Sequence, residues 1–192
     1  MKLTRFLAVV ALAFPVLAYA HPGHDGHDLT WDFTNGALHP LFGWDHLLAM
    51  IAVGLWAAQL GGRSRWLVPT AFVSVMILGA ALGQSGLSFS GLEQGIAASL
   101  FVLGLLIATT AKLRAPAGMA IVGIFALFHG LAHGLEMPAS TSALTYGFGF
   151  IATTILLHAA GLTLGTGMKN QVTASRLAGS TLAIIGAAAF VL

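Results

Sequence analysis

Two short runs of this chain concentrate side chains able to bind a transition metal. The first is His39-Pro-Leu-Phe-Gly-Trp-Asp45-His46, with Met50 one turn further on. The second is Phe128-His129-Gly-Leu-Ala-His133-Gly-Leu-Glu136. On a helix turning about 100° per residue, His129, His133 and Glu136 fall within about 60° of one another. An i, i+4 histidine pair offers two imidazoles to one ion, and the glutamate adds an oxygen donor. A helix through the first run puts His39 and His46 on one side, two turns apart, with Met50 near that stripe. Asp45 lies about 100° round from His46, positioned either to ligate or to orient a histidine. Pro40 suits the first turn of such a helix, where its missing N–H costs nothing. Imidazole with carboxylate suits Ni²⁺, Co²⁺, Zn²⁺ and Cu²⁺, and affinity order alone favours copper. The chain has no cysteine, which excludes thiolate sites and disulfides and weakens a case for Cu(I).

The surroundings of these donors are apolar. The 192 residues are 57% hydrophobic and 7% charged, with a mean hydropathy of +0.90. A soluble domain carries about 25% charged residues. So few charges cannot cover a wet surface, and the composition reads as an all-α integral membrane protein. The pI near 9.4 reflects a net charge of only +2. Lys2 and Arg5 supply that excess, so there is no footprint for nucleic acid.

Six apolar segments are expected to span the bilayer: residues 39–60, 66–83, 92–111, 116–136, 143–168 and 177–192. Each approaches the roughly 20 residues needed to cross hydrocarbon; the last is short and is expected to end near the membrane surface. All must be helical, because an open strand leaves backbone groups unsatisfied in lipid. Arg63 and Arg65 lie in the first loop, Lys112 and Arg114 in the third, and Lys169 and Arg176 after the fifth span. The second and fourth loops carry no Lys or Arg, so the positive-inside rule places the alternate, basic loops in the cytoplasm and both mature termini outside. Gly79/Gly83, Gly130/Gly134 and Gly161/Gly165 form small-xxx-small patterns that favour close helix packing. Trp31, Trp44, Trp56 and Trp66 fit an aromatic belt, and Glu93 with Gln94 an interfacial start to the third span.

Ahead of the spans, residues 1–20 have the basic, apolar and small-x-small parts of a secretory signal, ending Ala18-Tyr19-Ala20. Residues 21–38 form a tail outside the membrane, and 39–192 the transmembrane domain. Cleavage would start the mature chain at His21, giving a free amine beside an imidazole. With His24, Asp25, His27 and Asp28, the tail is a candidate for metal capture. Histidine third in the chain, as the amino-terminal copper/nickel motif requires, is not found; Gly23 stands there.

An ionisable side chain inside a span is costly and normally faces a bundle interior or cavity. His46 lies seven residues from the outer end of the first span, and His129 seven from Glu136. Both are therefore about 10 Å below the outer surface, so the first and fourth spans can build one site. His158, in the fifth span on a face with Thr154, Gly161 and Gly165, is a candidate step further inward.

The residues His39-Pro-Leu-Phe-Gly-Trp-Asp45-His46-Leu-Leu-Ala-Met50 resemble the HPxxGxDHxxxM signature of the HupE/UreJ family of bacterial nickel or cobalt permeases. Phe128-His-Gly-Leu-Ala-His-Gly-Leu-Glu136 is similar to that family's FHGxAHGxE motif. The resemblance implies uptake of Ni²⁺ or Co²⁺ as transported substrate across the inner membrane, supplying hydrogenase or urease maturation, with no prosthetic group. It implies His39, Asp45, His46, His129 and Glu136 as metal-path residues, and His133 matches its motif position. No GxxxxGK[ST] loop is present, so transport is passive or gradient-coupled unless a partner supplies ATP. Two other classes stand beside this reading. An intramembrane metalloenzyme would need a general base, but there is no HExxH, and His158 is the one further histidine toward the inner face. A metal sensor would use the tail and need no acids inside spans. The sequence is compatible with a homo-oligomer.

Overall fold

The computed structural model describes residues 33–88, 90–137 and 142–191. The expected signal segment and the tail histidines His21, His24 and His27 lie outside the described residues, as does Trp31. Among the described residues seven helices follow one another: α1 (Phe33–Phe42), α2 (Trp44–Leu60), α3 (Ser64–Gln84), α4 (Leu92–Ala108), α5 (Ala115–Glu136), α6 (Ala143–Gly167) and α7 (Val172–Val191). Every segment expected to span the membrane is helical. Among the described residues, α3, α5, α6 and α7 are each long and apolar enough to cross a bilayer, and α1 with α2 meets the same criterion as one bent unit. At 17 residues α4 is shorter. The architecture is that of an all-helical membrane protein, with Leu78, Ile124, Leu156 and Ile184 among the large apolar side chains on its outside.

Three features depart from the sequence reading. The first span is not a continuous helix from residue 39, because α1 begins at Phe33 and meets α2 at a bend of 84°. Gly43 breaks the helix, with φ −80° and ψ 100°. Pro40 sits near the end of α1 rather than in a first turn. It has no N–H to give the carbonyl of Gly36, which weakens the helix just before the break. Secondly, the last helix starts at Val172 and has 20 residues, so Arg176 lies within its early turns and the helix is not short. Thirdly, Trp56 does not belong to an aromatic belt: it is fully buried, and its indole N–H donates to the carbonyl of Ala111.

The helices are held together through glycine. The most extensive contacts are those of α3 with α5, α4 with α7, and α6 with both α2 and α1. Gly79 and Gly83 on α3 face Gly130 and Gly134 on α5 across backbone-to-backbone contacts. Gly161 packs on the backbone at Ile51 and Leu55, and Gly54 reciprocally on that at His158. In lipid the hydrophobic effect does not drive helices together, so close approach and dispersion contacts do. Helix α2 occupies the centre, with Ala49, Met50, Ala52, Val53 and Trp56 wholly inaccessible. A helix apolar on all sides finds its place in the middle of a bundle.

The register of these contacts makes α3 parallel to α5 and α2 parallel to α6, while α4 runs antiparallel to α7. Arg63, Arg65, Lys112, Arg114, Lys169 and Arg176 consequently gather at one end of the bundle. At that end Lys112 donates to the carbonyl of Gln59, and the Gln59 amide to that of Ile107, joining α2 to the end of α4. At the opposite end the Thr153 hydroxyl donates to the Ala37 carbonyl at 2.7 Å, fixing α1 against α6. Thr153→Val should lower stability by about 1 kcal/mol, the scale of interhelical hydrogen bonds in membranes. A thermal unfolding midpoint in detergent equal to that of the parent would show that this bond does not anchor α1.

Candidate metal site

The two histidine-bearing runs meet at the end of the bundle opposite the cations. Helix α5 delivers His129, His133 and Glu136 along one face, as its 3.6-residue period requires. The glycines between them, Gly130 and Gly134, face α3, so the same turns that carry the donors also allow α3 to pack closely. His39 comes from α1 and Asp45 and His46 from the first turn of α2. The bend at Gly43 is what gathers them. Along a straight helix, residues seven apart are separated by about 10.5 Å of rise, whereas the His39 and His46 rings lie 6.5 Å apart. A side chain at Gly43 would crowd this turn: an added Cβ would lie 3.3 Å from Asp45 Oδ1 and 3.4 Å from His46 Cγ.

His133 is the hub. Its ring centroid is 4.3 Å from that of His46 and 4.8 Å from that of His39, and His46 is in turn 4.9 Å from His129. Glu136 Oε2 stands 3.4 Å from His39 Nε2 and 3.6 Å from His133 Nδ1. Two donors each about 2.0–2.1 Å from a tetrahedral ion are about 3.3 Å apart, so these separations suit a shared cation. Among the described residues, His39, His133 and Glu136 offer ligand atoms that all lie within 4.8 Å of one another. Asp45 plays a different part: its Oδ1 accepts from the His46 backbone N–H at 2.8 Å and lies 3.0 Å from His46 Nδ1. With Nδ1 donating to the carboxylate, Nε2 is left with a free lone pair, a common way of presenting a histidine to metal.

Exposure falls steadily along the group. Glu136 is 49% exposed, His39 24% and His133 4%, and His129 is wholly buried. The open mouth is therefore at Glu136 and the closed end at His129. Among the described residues, His158 is not in ring contact with another histidine. Phe72 stands between, 5.7 Å from His129 and 5.3 Å from His158, and both its neighbours are buried. Met50 is wholly buried one turn below His46.

Several residues of the site carry no signal in the sequence. Phe150 packs on His133 at 4.3 Å and, with Tyr146, lies beside His39. Ser99 on α4 reaches His129 Nε2 at 3.1 Å. One serine, one tyrosine and a phenylalanine in apolar helices look like ordinary packing, and only the neighbouring helix gives them a role. Buried histidine nitrogens without a hydrogen-bond partner are more telling: His129 Nδ1 and both nitrogens of His133 and of His158. Leaving such a group unsatisfied costs about 1–3 kcal/mol. Histidines serving only as struts between helices would be bonded to something. Lone-pair donors arranged around a mouth with two carboxylates can instead take up a divalent cation and exchange it between sites.

The sequence model of the family described as HupE / UreJ protein matches residues 8–189. "Protein HupE" of Rhizobium leguminosarum bv. viciae is 45% identical over 194 residues, covering 99% of this chain and 97% of that protein. No solved structure matches. The chain belongs to the HupE/UreJ family.

Proposed function

We propose that this protein is a secondary transporter that takes up Ni²⁺, or Co²⁺, across the bacterial inner membrane. The observation that carries the reading is the set of unpartnered imidazole nitrogens on His129, His133 and His158, all buried, beside the half-exposed Glu136. In this reading six spans follow a cleaved signal peptide, α1 and α2 together make the first, and the histidine end faces the periplasm. The basic end then faces the cytoplasm, as the positive-inside rule requires. The periplasmic tail, with His21, His24 and His27, captures the ion and passes it to the mouth.

The cation meets Glu136 and His39 first, because these are the exposed donors. It exchanges part of its water for imidazole at His133 and His46, and Asp45 and Glu136 offset part of its desolvation. From His129 it passes Phe72 to His158 and on toward the basic end. Several moderate sites in series serve conduction better than one tight one, since an ion held too firmly does not leave. An inside-negative potential drives a divalent ion by about 4.6 kcal/mol per 100 mV, twice the figure for a single charge. No ATP is needed for uptake on that scale.

Radioactive ⁶³Ni²⁺ uptake by cells expressing the protein tests the reading, with Co²⁺, Zn²⁺ and Cu²⁺ as competitors. Uptake is expected to fall with excess cobalt and to survive excess zinc. Protein present in the membrane without uptake would contradict transport, and suppression by zinc but not cobalt would contradict the metal assignment.

A further inference from the structure

The site donors come from α1, α2 and α5, yet one polar side chain reaches them from α4. Ser99 is wholly buried in α4, whose other polar side chains, Glu93 and Gln94, lie in its first turn. Its Oγ lies 2.6 Å from the carbonyl oxygen of Ile96 and 3.1 Å from His129 Nε2. A serine hydroxyl has one proton to give and two lone pairs to accept with. Two oxygens at 2.6 Å need a proton between them, and a carbonyl has none, so the hydroxyl proton is committed to Ile96. Toward His129, Ser99 can then only accept. The imidazole must therefore carry its proton on Nε2, and its lone pair resides on Nδ1, the buried nitrogen without a partner.

We infer that Ser99 is a positioning residue that locks His129 in the Nε2–H tautomer and so presents Nδ1 to the transported cation. This rests on the transport reading above and adds to it a determinant on a fourth helix. The helix is held in place for the task. Gly95, one turn before Ser99, leaves room for the ring of Phe128, the neighbour of His129, which a Cβ there would meet at 2.3 Å. Asp45 does the converse for His46, holding Nδ1 and freeing Nε2. Two adjacent rings, 4.9 Å apart, are thus set in opposite tautomers by two different partners. Partners of this kind, which orient a ligand without touching the metal, typically change affinity or activity by about 10- to 100-fold when removed.

The test combines kinetics with a direct view of the proton. Ser99→Ala should raise the KM for Ni²⁺ uptake about 10- to 100-fold, with the protein present in the membrane at its usual level. Ser99→Thr keeps a hydroxyl that can give to the Ile96 carbonyl and accept from the imidazole, and should restore a KM close to that of the parent. Nitrogen NMR of ¹⁵N-histidine-labelled protein in lipid, with the His129 signals assigned by their loss in His129→Ala, should show a protonated Nε2 and a bare Nδ1. In Ser99→Ala that preference should be lost. A protonated Nδ1 on His129 in the parent protein would overturn the inference, whatever the variants do. An unchanged KM in Ser99→Ala alongside lost uptake in His129→Ala would overturn it too, leaving the transport reading intact. Absence of uptake by the parent would instead remove the transport reading, and the NMR would still decide the tautomer.

Discussion

His133→Leu is expected to lose metal uptake by about 100-fold or more, while folding at least as well as the parent. The hub of the site loses both nitrogens in this variant, and a partner acting only through a ligand already costs about 10- to 100-fold. His133 stands within 5 Å, ring to ring, of both His39 and His46, and its Nδ1 is 3.6 Å from Glu136. It stands between the half-exposed mouth and His46, whose ring in turn lies 4.9 Å from that of the buried His129. Leucine is chosen because it has nearly the volume of imidazole, and the site packs it against Phe150. It also removes two buried nitrogens that have no hydrogen-bond partner, a penalty that offsets loss of the 3.6 Å contact with Glu136. ⁶³Ni²⁺ uptake and thermal unfolding in detergent, measured on the same preparation, separate the two effects. Uptake near the parental rate in a well-folded His133→Leu protein would mean that the ion travels elsewhere.

The second large effect is on the fold. Gly134→Val should destabilise the protein by about 3 kcal/mol, the upper part of the range for overpacking. A Cβ at Gly134 would lie 2.1 Å from the Ala80 carbonyl oxygen, and one at Gly130 2.2 Å from that of Met76. Both obstacles are backbone, so no side chain can swing away, and α3 must retreat from α5. Uptake should fall with stability, because His133 and Glu136 flank the substituted residue. Gly147→Ala supplies the opposite expectation. A Cβ there meets nothing within 4 Å, and alanine should stabilise the α6 helix by about 0.5–1 kcal/mol. Equal unfolding midpoints for the two variants would contradict the close packing of α3 on α5.

The difference between these glycines marks how far the sequence could be read. The donors were legible because helical period converts spacing into a shared face: His129, His133 and Glu136 needed no partner helix to be grouped. Matching depths for His46 and His129 were legible for the same reason, from rise per residue. The small-xxx-small patterns named glycines that do lie at helix contacts, but not which helix each would meet. That Gly79/Gly83 would face Gly130/Gly134 depends on the whole bundle. The bend at Gly43 was missed because proline and glycine within an apolar run are common in membrane helices, and Pro40 reads equally well as a helix start. Its consequence for the site is large, since it draws His39 to 6.5 Å from His46. Trp56 was misplaced because distance from a span's end says nothing of which way a side chain faces. Ser99 could not have been found at all: the proposed role depends on its one hydroxyl proton going to the Ile96 carbonyl, which leaves only a lone pair toward His129.

Transport by way of the histidine end differs from binding in that metal crosses the membrane. Purified protein reconstituted in liposomes tests this most directly, with ⁶³Ni²⁺ added outside and an inside-negative potential imposed. Time-dependent accumulation is expected in the lumen, released by an ionophore, abolished in His133→Leu and slowed when the potential is collapsed. Retention that saturates at once, ignores the potential and resists the ionophore would be binding alone, and would contradict transport by this chain.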